Sequence, residues 1–236
     1  MVLDAKSKEI VRKKLAGMSN QVVLHYFYDE NKDECPYCET LKEFLYEIAE
    51  LSNNKLIIKL YTKGKDDDTF AQFGIEKAPV IIFDGYNIKY LGAPVGQETW
   101  AFLETIVLAS KRAPKLSAET YNQLKEFNNK AKVEVVVTPS CPWCPYAALL
   151  SNSAAIASNN IESNVVEAYE FPEIADKYNV NAVPTVAING QVMFIGVPQE
   201  NDFVLALKGE YQPRFEETEE VEELEHEEHE HHHHHH

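Results

Sequence analysis

The apolar positions of the chain follow two rhythms, and their alternation predicts its elements. Over 36–52, Leu41, Phe44, Leu45, Ile48 and Leu51 recur three and four residues apart, the spacing of one helix face. Over 21–28 and 132–137 the apolar residues run almost unbroken for the length of a strand. Read this way, residues 4–16 predict a helix stopped near Gly17. Next come the strand 21–28, a loop 29–34, the helix 36–52, a strand 55–61, a short helix 66–73, strands 80–83 and 87–91, and a helix 97–110.

Residues 111–116, with Pro114 among them, read as a linker, after which the pattern restarts. Ser117 is a suitable N-cap for a helix reaching 130, and strand 132–137 leads into a helix ending near 158. A strand 163–169, a helix 172–178, a hairpin of 185–188 with 192–195 and a helix 199–208 complete the second half. Asn189-Gly190 at the hairpin turn is a strong hairpin signal.

The two halves share landmarks as well as order. Cys35 to Cys141 is 106 positions, Pro79 to Pro184 is 105, and Gly92 to Gly196 and Pro94 to Pro198 are each 104. An offset that drifts by two residues across eight elements argues for duplication of one unit. The expected organisation is therefore a unit at 1–112, a second at 113–212, and a tail at 213–236.

Composition changes this picture only at the tail. With 44% apolar residues the chain has enough to bury a core in each unit. Of the formal charge of −16, ten charges belong to Glu residues within 216–230, and the remaining −6 is mild. That acidic run predicts a solvated, disordered tail, and His231–His236 read as a purification tag. The body has no Lys/Arg stripe that could track a phosphate backbone, which argues against nucleic acid as a partner. Charged residues interrupt the first fourteen positions, so no secretory leader is expected, and no apolar run approaches the ~20 residues of a membrane helix. A cytoplasmic protein without membrane partners is the expectation. Nineteen Lys against three Arg lean toward a thermophile source, and sixteen Asn lean the other way.

The chemistry lies in the cysteines. All four occur as two CxxC pairs, Cys35-Pro36-Tyr37-Cys38 and Cys141-Pro142-Trp143-Cys144, each placed where a helix is predicted to open. Disulfide exchange needs a thiolate that attacks and a thiol that resolves the mixed disulfide, and this spacing supplies both. The first Cys faces free amides and the positive end of the helix dipole, so Cys35 and Cys141 are the expected nucleophiles and Cys38 and Cys144 the resolving thiols. Pro36 and Pro142 cost no amide donor there and stiffen the loop.

A Pro follows each motif, 41 or 40 residues after its second Cys, at the entry to an apolar strand. A cis peptide at Ala78-Pro79 and Val183-Pro184 would leave the backbone of Ala78 or Val183 free to pair with an extended substrate. Alternatively, both prolines merely start edge strands in trans. Asp33 and Glu34 precede Cys35 and disfavour its thiolate, whereas Ser140 precedes Cys141 and can cap the helix without charge. Cys141 is thus expected to be the more acidic thiol, and its pair the more oxidising.

Doubled CxxC motifs, each with its own proline, resemble the thioredoxin superfamily, and the duplication resembles the two-unit protein disulfide oxidoreductases of archaea and thermophilic bacteria. The resemblance covers residues 1–211. It implies an α/β fold of two tandem thioredoxin-like units, each a central mixed sheet flanked by helices, that reduces, oxidises or isomerises protein disulfides. It further implies that Tyr37 and Trp143, with Pro36 and Pro142, face the substrate. No cofactor is implied beyond the redox-active disulfides, and no Gly-rich phosphate loop is present. Electrons would come from a thioredoxin-reductase-like protein or a small thiol.

Three features depart from the pattern. Trp143 replaces the usual Tyr, Pro145 directly after the resolving Cys can loosen the first turns of its helix, and the buried carboxylate of thioredoxins has no clean counterpart. Val135 stands at about its position, while Glu167 and Glu170 are candidates that an exposed strand face explains equally well.

Two other classes remain open. Four thiolates could hold zinc, although 102 residues separate Cys38 from Cys141 where zinc ribbons leave ~15–20. A thioredoxin-like module that only binds unfolded chains is the other. His25, the only His before the tail, reads as a packed strand residue rather than a proton shuttle.

Overall fold

The computed structural model describes residues 3–213 and 221–224. The first half comprises α1 (Ala5–Leu15), β1 (Val22–Tyr28), α2 (Cys38–Glu50), β2 (Leu56–Thr62), α3 (Asp67–Phe73), β3 (Val80–Phe83), β4 (Ile88–Leu91) and α4 (Glu98–Lys111). The second repeats that order with α5 (Ala118–Lys125), β5 (Ala131–Val137), α6 (Cys144–Ala157), β6 (Ile161–Glu167) and α7 (Pro172–Lys177). It continues with the short β7 (Ala182–Val183), then β8 (Thr185–Ile188), β9 (Gln191–Ile195) and α8 (Glu200–Leu207).

Local sequence accounts for most of these elements. Helix α2 buries Cys38, Leu41, Phe44, Leu45 and Ile48, the face its spacing predicts. Ser117 caps α5 by accepting from the Thr120 amide. At the β8–β9 turn both Asn189 and Gly190 have positive φ (51° and 82°), as a two-residue hairpin of the right twist requires.

Beyond the local level the two units are joined more closely than side-by-side packing suggests. The sheet has eight strands in the order β2-β1-β3-β4-β6-β5-β8-β9. In the first unit β1 is central, parallel to β2 and antiparallel to β3, and in the second β5 is likewise parallel to β6 and antiparallel to β8. The seam is a parallel pairing of β4 with β6, Ile88 opposite Ser163 through Leu91 opposite Val166. Each unit is a mixed sheet flanked by helices, and the sheet continues through both.

Helices α4 and α6 pack across the seam, where a buried polar cluster ties the units together. The Asn152 amide donates to the hydroxyls of Tyr90 and Thr105 (both 3.1 Å), and its carbonyl accepts from the Ser163 hydroxyl at 2.7 Å. Ser151 completes the cluster 2.6 Å from Ser163.

Three expectations change. Helix α6 forms from Cys144 with Pro145 in its first turn, where no intrahelical amide bond is lost, so Pro145 does not loosen it. Strand β6 starts at Ile161 and stops at Glu167, because the Glu167 carboxylate turns the chain by accepting from the amides of Tyr169 (3.1 Å) and Glu170 (2.7 Å). Within the tail, Glu222–Glu223 form a tenth strand, β10, paired with β7. The rest of the acidic run and the histidine tag lie outside the described residues.

Candidate active site: two disulfide centres

Each cysteine pair closes a disulfide within its own motif, with Cα atoms 5.4 Å apart for Cys35–Cys38 and 5.5 Å for Cys141–Cys144. The regular helix starts at the second Cys of each pair. Tyr37 and Trp143 occupy the cap positions without a side-chain cap bond, and the first Cys lies in the preceding turn. All four sulfur-bearing residues are buried, whereas Pro36, Tyr37, Pro142 and Trp143 are exposed around them. Trp143 leans on Tyr146, which meets Trp100 of α4 edge-on with ring centroids 5.2 Å apart. This exposed aromatic patch beside the second centre draws on both units.

The surroundings of the two centres differ. At the second, the Cys144 amide donates to Cys141 Sγ at 3.1 Å, so a helix N-terminal donor points at the proposed nucleophile. At the first, the Asp29 amide donates to Cys38 Sγ at 3.4 Å and the Tyr26 hydroxyl donates to the Cys38 carbonyl at 2.7 Å. Ser140 does not cap α6, since its hydroxyl donates to Glu222 Oε2 at 3.1 Å.

Both X-Pro bonds flagged by the sequence, Ala78–Pro79 and Val183–Pro184, are cis. Pro79 immediately precedes β3, beside the end of β1, with Phe27 opposite Val80. Val183 lies against the second centre, its carbonyl 3.7 Å from Cys141 Sγ. Each proline carbonyl accepts a glycine amide, Gly92 at 3.1 Å for Pro79 and Gly196 at 2.8 Å for Pro184.

Sequence reasoning named Glu167 and Glu170 but missed the buried acid Glu98. Glu98, in the first turn of α4, is 2% exposed, and neither carboxylate oxygen has a hydrogen-bond partner. Burial pushes its pKa up to about 8. The residues before it rest on the loop of the second centre, where the Gln97 amide donates to the Pro139 carbonyl at 2.8 Å.

Glu167 and Glu170 are also not surface-strand residues. Glu167 is buried, and Glu170 Oε2 accepts from the Ala93 amide at 2.7 Å while Oε1 is buried and unpartnered. Burial raises both above the ordinary carboxylate range. Glu170 is close enough to Tyr26 to help raise that phenol's pKa, although burial is the larger cause. Glu170 of the second unit thus bonds across the seam to the Ala93 amide of the first.

His25 is packed, with ring nitrogens 2.9 Å from the Tyr61 hydroxyl and 2.9 Å from Asp84 Oδ1. Among the described residues no three His, Cys, Asp or Glu side chains converge as metal ligands, and the cysteine pairs lie in separate units. No helix of the described residues is long and apolar enough to cross a membrane.

The thioredoxin-domain family pattern matches residues 131–208. The chain is 37% identical over 81 residues to a thioredoxin of Methanocaldococcus jannaschii, a match covering 34% of this chain and 95% of that one. It is 22% identical over 191 residues to an NADH dehydrogenase of Bacillus subtilis, covering 81% of this chain and only 35% of that longer protein. Among solved structures, a protein disulfide oxidoreductase from Aeropyrum pernix superposes with a TM-score of 0.81 at 36% identity, covering 89% of this chain and 97% of that one. The similarity of both halves, the two CxxC disulfides and the near full-length superposition lead to one conclusion: the chain belongs to the thioredoxin family, in its two-unit protein disulfide oxidoreductase form.

Proposed function

We propose that the protein exchanges disulfides for dithiols in protein or peptide substrates at both centres, within functional units 1–112 and 113–212. The observation that carries the reading is the second centre itself. A helix amide donates to Cys141 Sγ, the Val183 carbonyl lies 3.7 Å from that sulfur, and β7 there pairs with an extended segment. The first centre repeats the motif, the helix start and the cis proline.

In the reductive direction, the thiolate of Cys35 or Cys141 attacks one sulfur of the substrate disulfide. A mixed disulfide forms and one substrate thiolate leaves. Cys38 or Cys144 then gives up its proton and attacks the enzyme sulfur, releasing the second substrate thiolate and leaving the centre oxidised. That proton passes to the departing substrate thiolate or to water. Ala78 and Val183 align the substrate backbone by strand addition, and Pro36, Tyr37, Pro142 and Trp143 frame the opening.

The sulfurs carry the electrons, and a separate donor returns them. The likeness to part of a longer NADH dehydrogenase supports a reductase protein of thioredoxin-reductase type, with a small thiol as the simpler source. Paired catalytic cysteines suit a reducing cytoplasm.

Trapping tests this reading. Full-length Cys38→Ser and Cys144→Ser proteins, reduced and mixed with a disulfide-containing peptide, should accumulate mixed disulfides on Cys35 and Cys141 respectively, identified by mass spectrometry. Absence of an adduct at both sites contradicts the proposal.

A further inference from the structure

A run as acidic as 216–230 ordinarily stays solvated and unpaired, yet four of its residues are seated beside the second centre. Strand β10 runs antiparallel to β7, Glu222 opposite Val183 and Glu223 opposite Ala182, and the Leu224 amide donates to the Asn181 carbonyl at 2.8 Å. Side chains alternate as in any strand. Glu222 accepts from the hydroxyls of Ser140 (3.1 Å) and Thr138 (3.4 Å), Leu224 packs at the margin of the core, and Glu223 points to solvent. Ser140 and Val183, which the segment touches, are also the residues that flank Cys141.

Charge explains why the segment chooses this centre. Where Ser140 offers a hydroxyl before Cys141, the first centre has Asp33 and Glu34 before Cys35, which would repel a carboxylate. The equivalent edge, Lys77–Ala78, pairs with no strand among the described residues, and Lys77 Nζ instead donates to the Glu170 carbonyl.

We infer that Val221–Leu224 is an internal occupant of the peptide edge of the second centre, so that peptide substrates reach Cys141 only in competition with this segment, while the first centre is ungated. The inference rests on the reading of the Val183 edge as the substrate edge. A tethered segment competes at an effective concentration in the millimolar range, so even weak docking slows a dilute peptide. The edge accordingly favours peptides with an acidic residue opposite Val183.

The test uses the full chain carrying Cys35→Ser and Cys38→Ser, which isolates the second centre. Its disulfide is reduced either by an uncharged cysteine-containing peptide or by dithiothreitol, which needs no strand pairing. Glu222→Ala should raise the peptide rate about fivefold, the scale set by one hydrogen-bonded contact, and leave the dithiothreitol rate within about twofold. Glu223→Ala, on the solvent side, should change neither. Synthetic Val-Glu-Glu-Leu added to the Glu222→Ala protein should slow the peptide reaction again.

Equal acceleration with both reductants overturns the inference, because the effect would then be electrostatic rather than one of access. No acceleration, with the added peptide still inhibiting, overturns it while leaving the substrate edge standing. No acceleration and no inhibition overturn both.

Discussion

Glu98 has two buried carboxylate oxygens that accept no hydrogen bond, and this makes its protonation a property of the fold. In the unfolded chain it ionises in the ordinary carboxylate range, whereas in the fold it holds its proton up to about pH 8. Between these values the folded state binds the extra proton, so the contribution of Glu98 to stability falls as pH rises through that window. Glu98→Gln should therefore leave stability nearly unchanged near pH 5 and raise it by about 1–3 kcal/mol near pH 9, measured by denaturant unfolding. A variant with the same pH dependence as the wild-type protein would contradict this assignment.

The cysteines permit a second residue-level prediction. The Cys144 amide favours a thiolate on Cys141, and Asp33 and Glu34 disfavour one on Cys35. Docked Glu222, however, brings a carboxylate to Ser140 and offsets part of that difference. Cys141 should alkylate with iodoacetamide at lower pH than Cys35, and the gap should widen in Glu222→Gln.

At this scale the sequence was legible where chemistry is local. The CxxC spacing and the two prolines announce themselves within a few residues. Glu98 does not, because a Glu in the first turn of a helix reads as a surface residue favoured by the dipole. Its burial comes from the tertiary packing of α4, which no local signal announces.

Among the elements, the helices that present the cysteines were readable from apolar spacing, and the hairpin from Asn189-Gly190. Their placement relative to one another depends on contacts between units. Gly96 shows how tight these are: its φ is +62°, and a Cβ there would run into the Pro139 carbonyl just ahead of the second centre. Gly96→Ala should destabilise the protein by about 2–4 kcal/mol and slow exchange at Cys141 more than at Cys35, measurable by unfolding and by site-specific alkylation. The early end of β6 was not legible, since it depends on where the Glu167 carboxylate finds amides.

For the whole molecule, duplication was visible in the constant offset of landmarks, but the continuous sheet was not. Nothing in the β4 or β6 sequence marks them as partners, and their pairing emerges once the unit edges meet. Because the seam includes both strand pairing and the buried Asn152 cluster, the units should unfold together. Calorimetry should show one transition, and two resolved transitions would contradict a shared core. Asn152→Ala, which takes one hydrogen-bond partner each from Tyr90, Thr105 and Ser163, should lower stability by about 1–3 kcal/mol without altering the sulfur chemistry.

The central claim is that this molecule carries two working centres of one chemistry, and insulin reduction by dithiothreitol tests it most directly. The wild-type protein should accelerate it, the Cys35→Ser and Cys141→Ser chains should each retain part of the activity, and the chain carrying both substitutions should fall to the uncatalysed rate. Full acceleration by the doubly substituted chain would contradict the account.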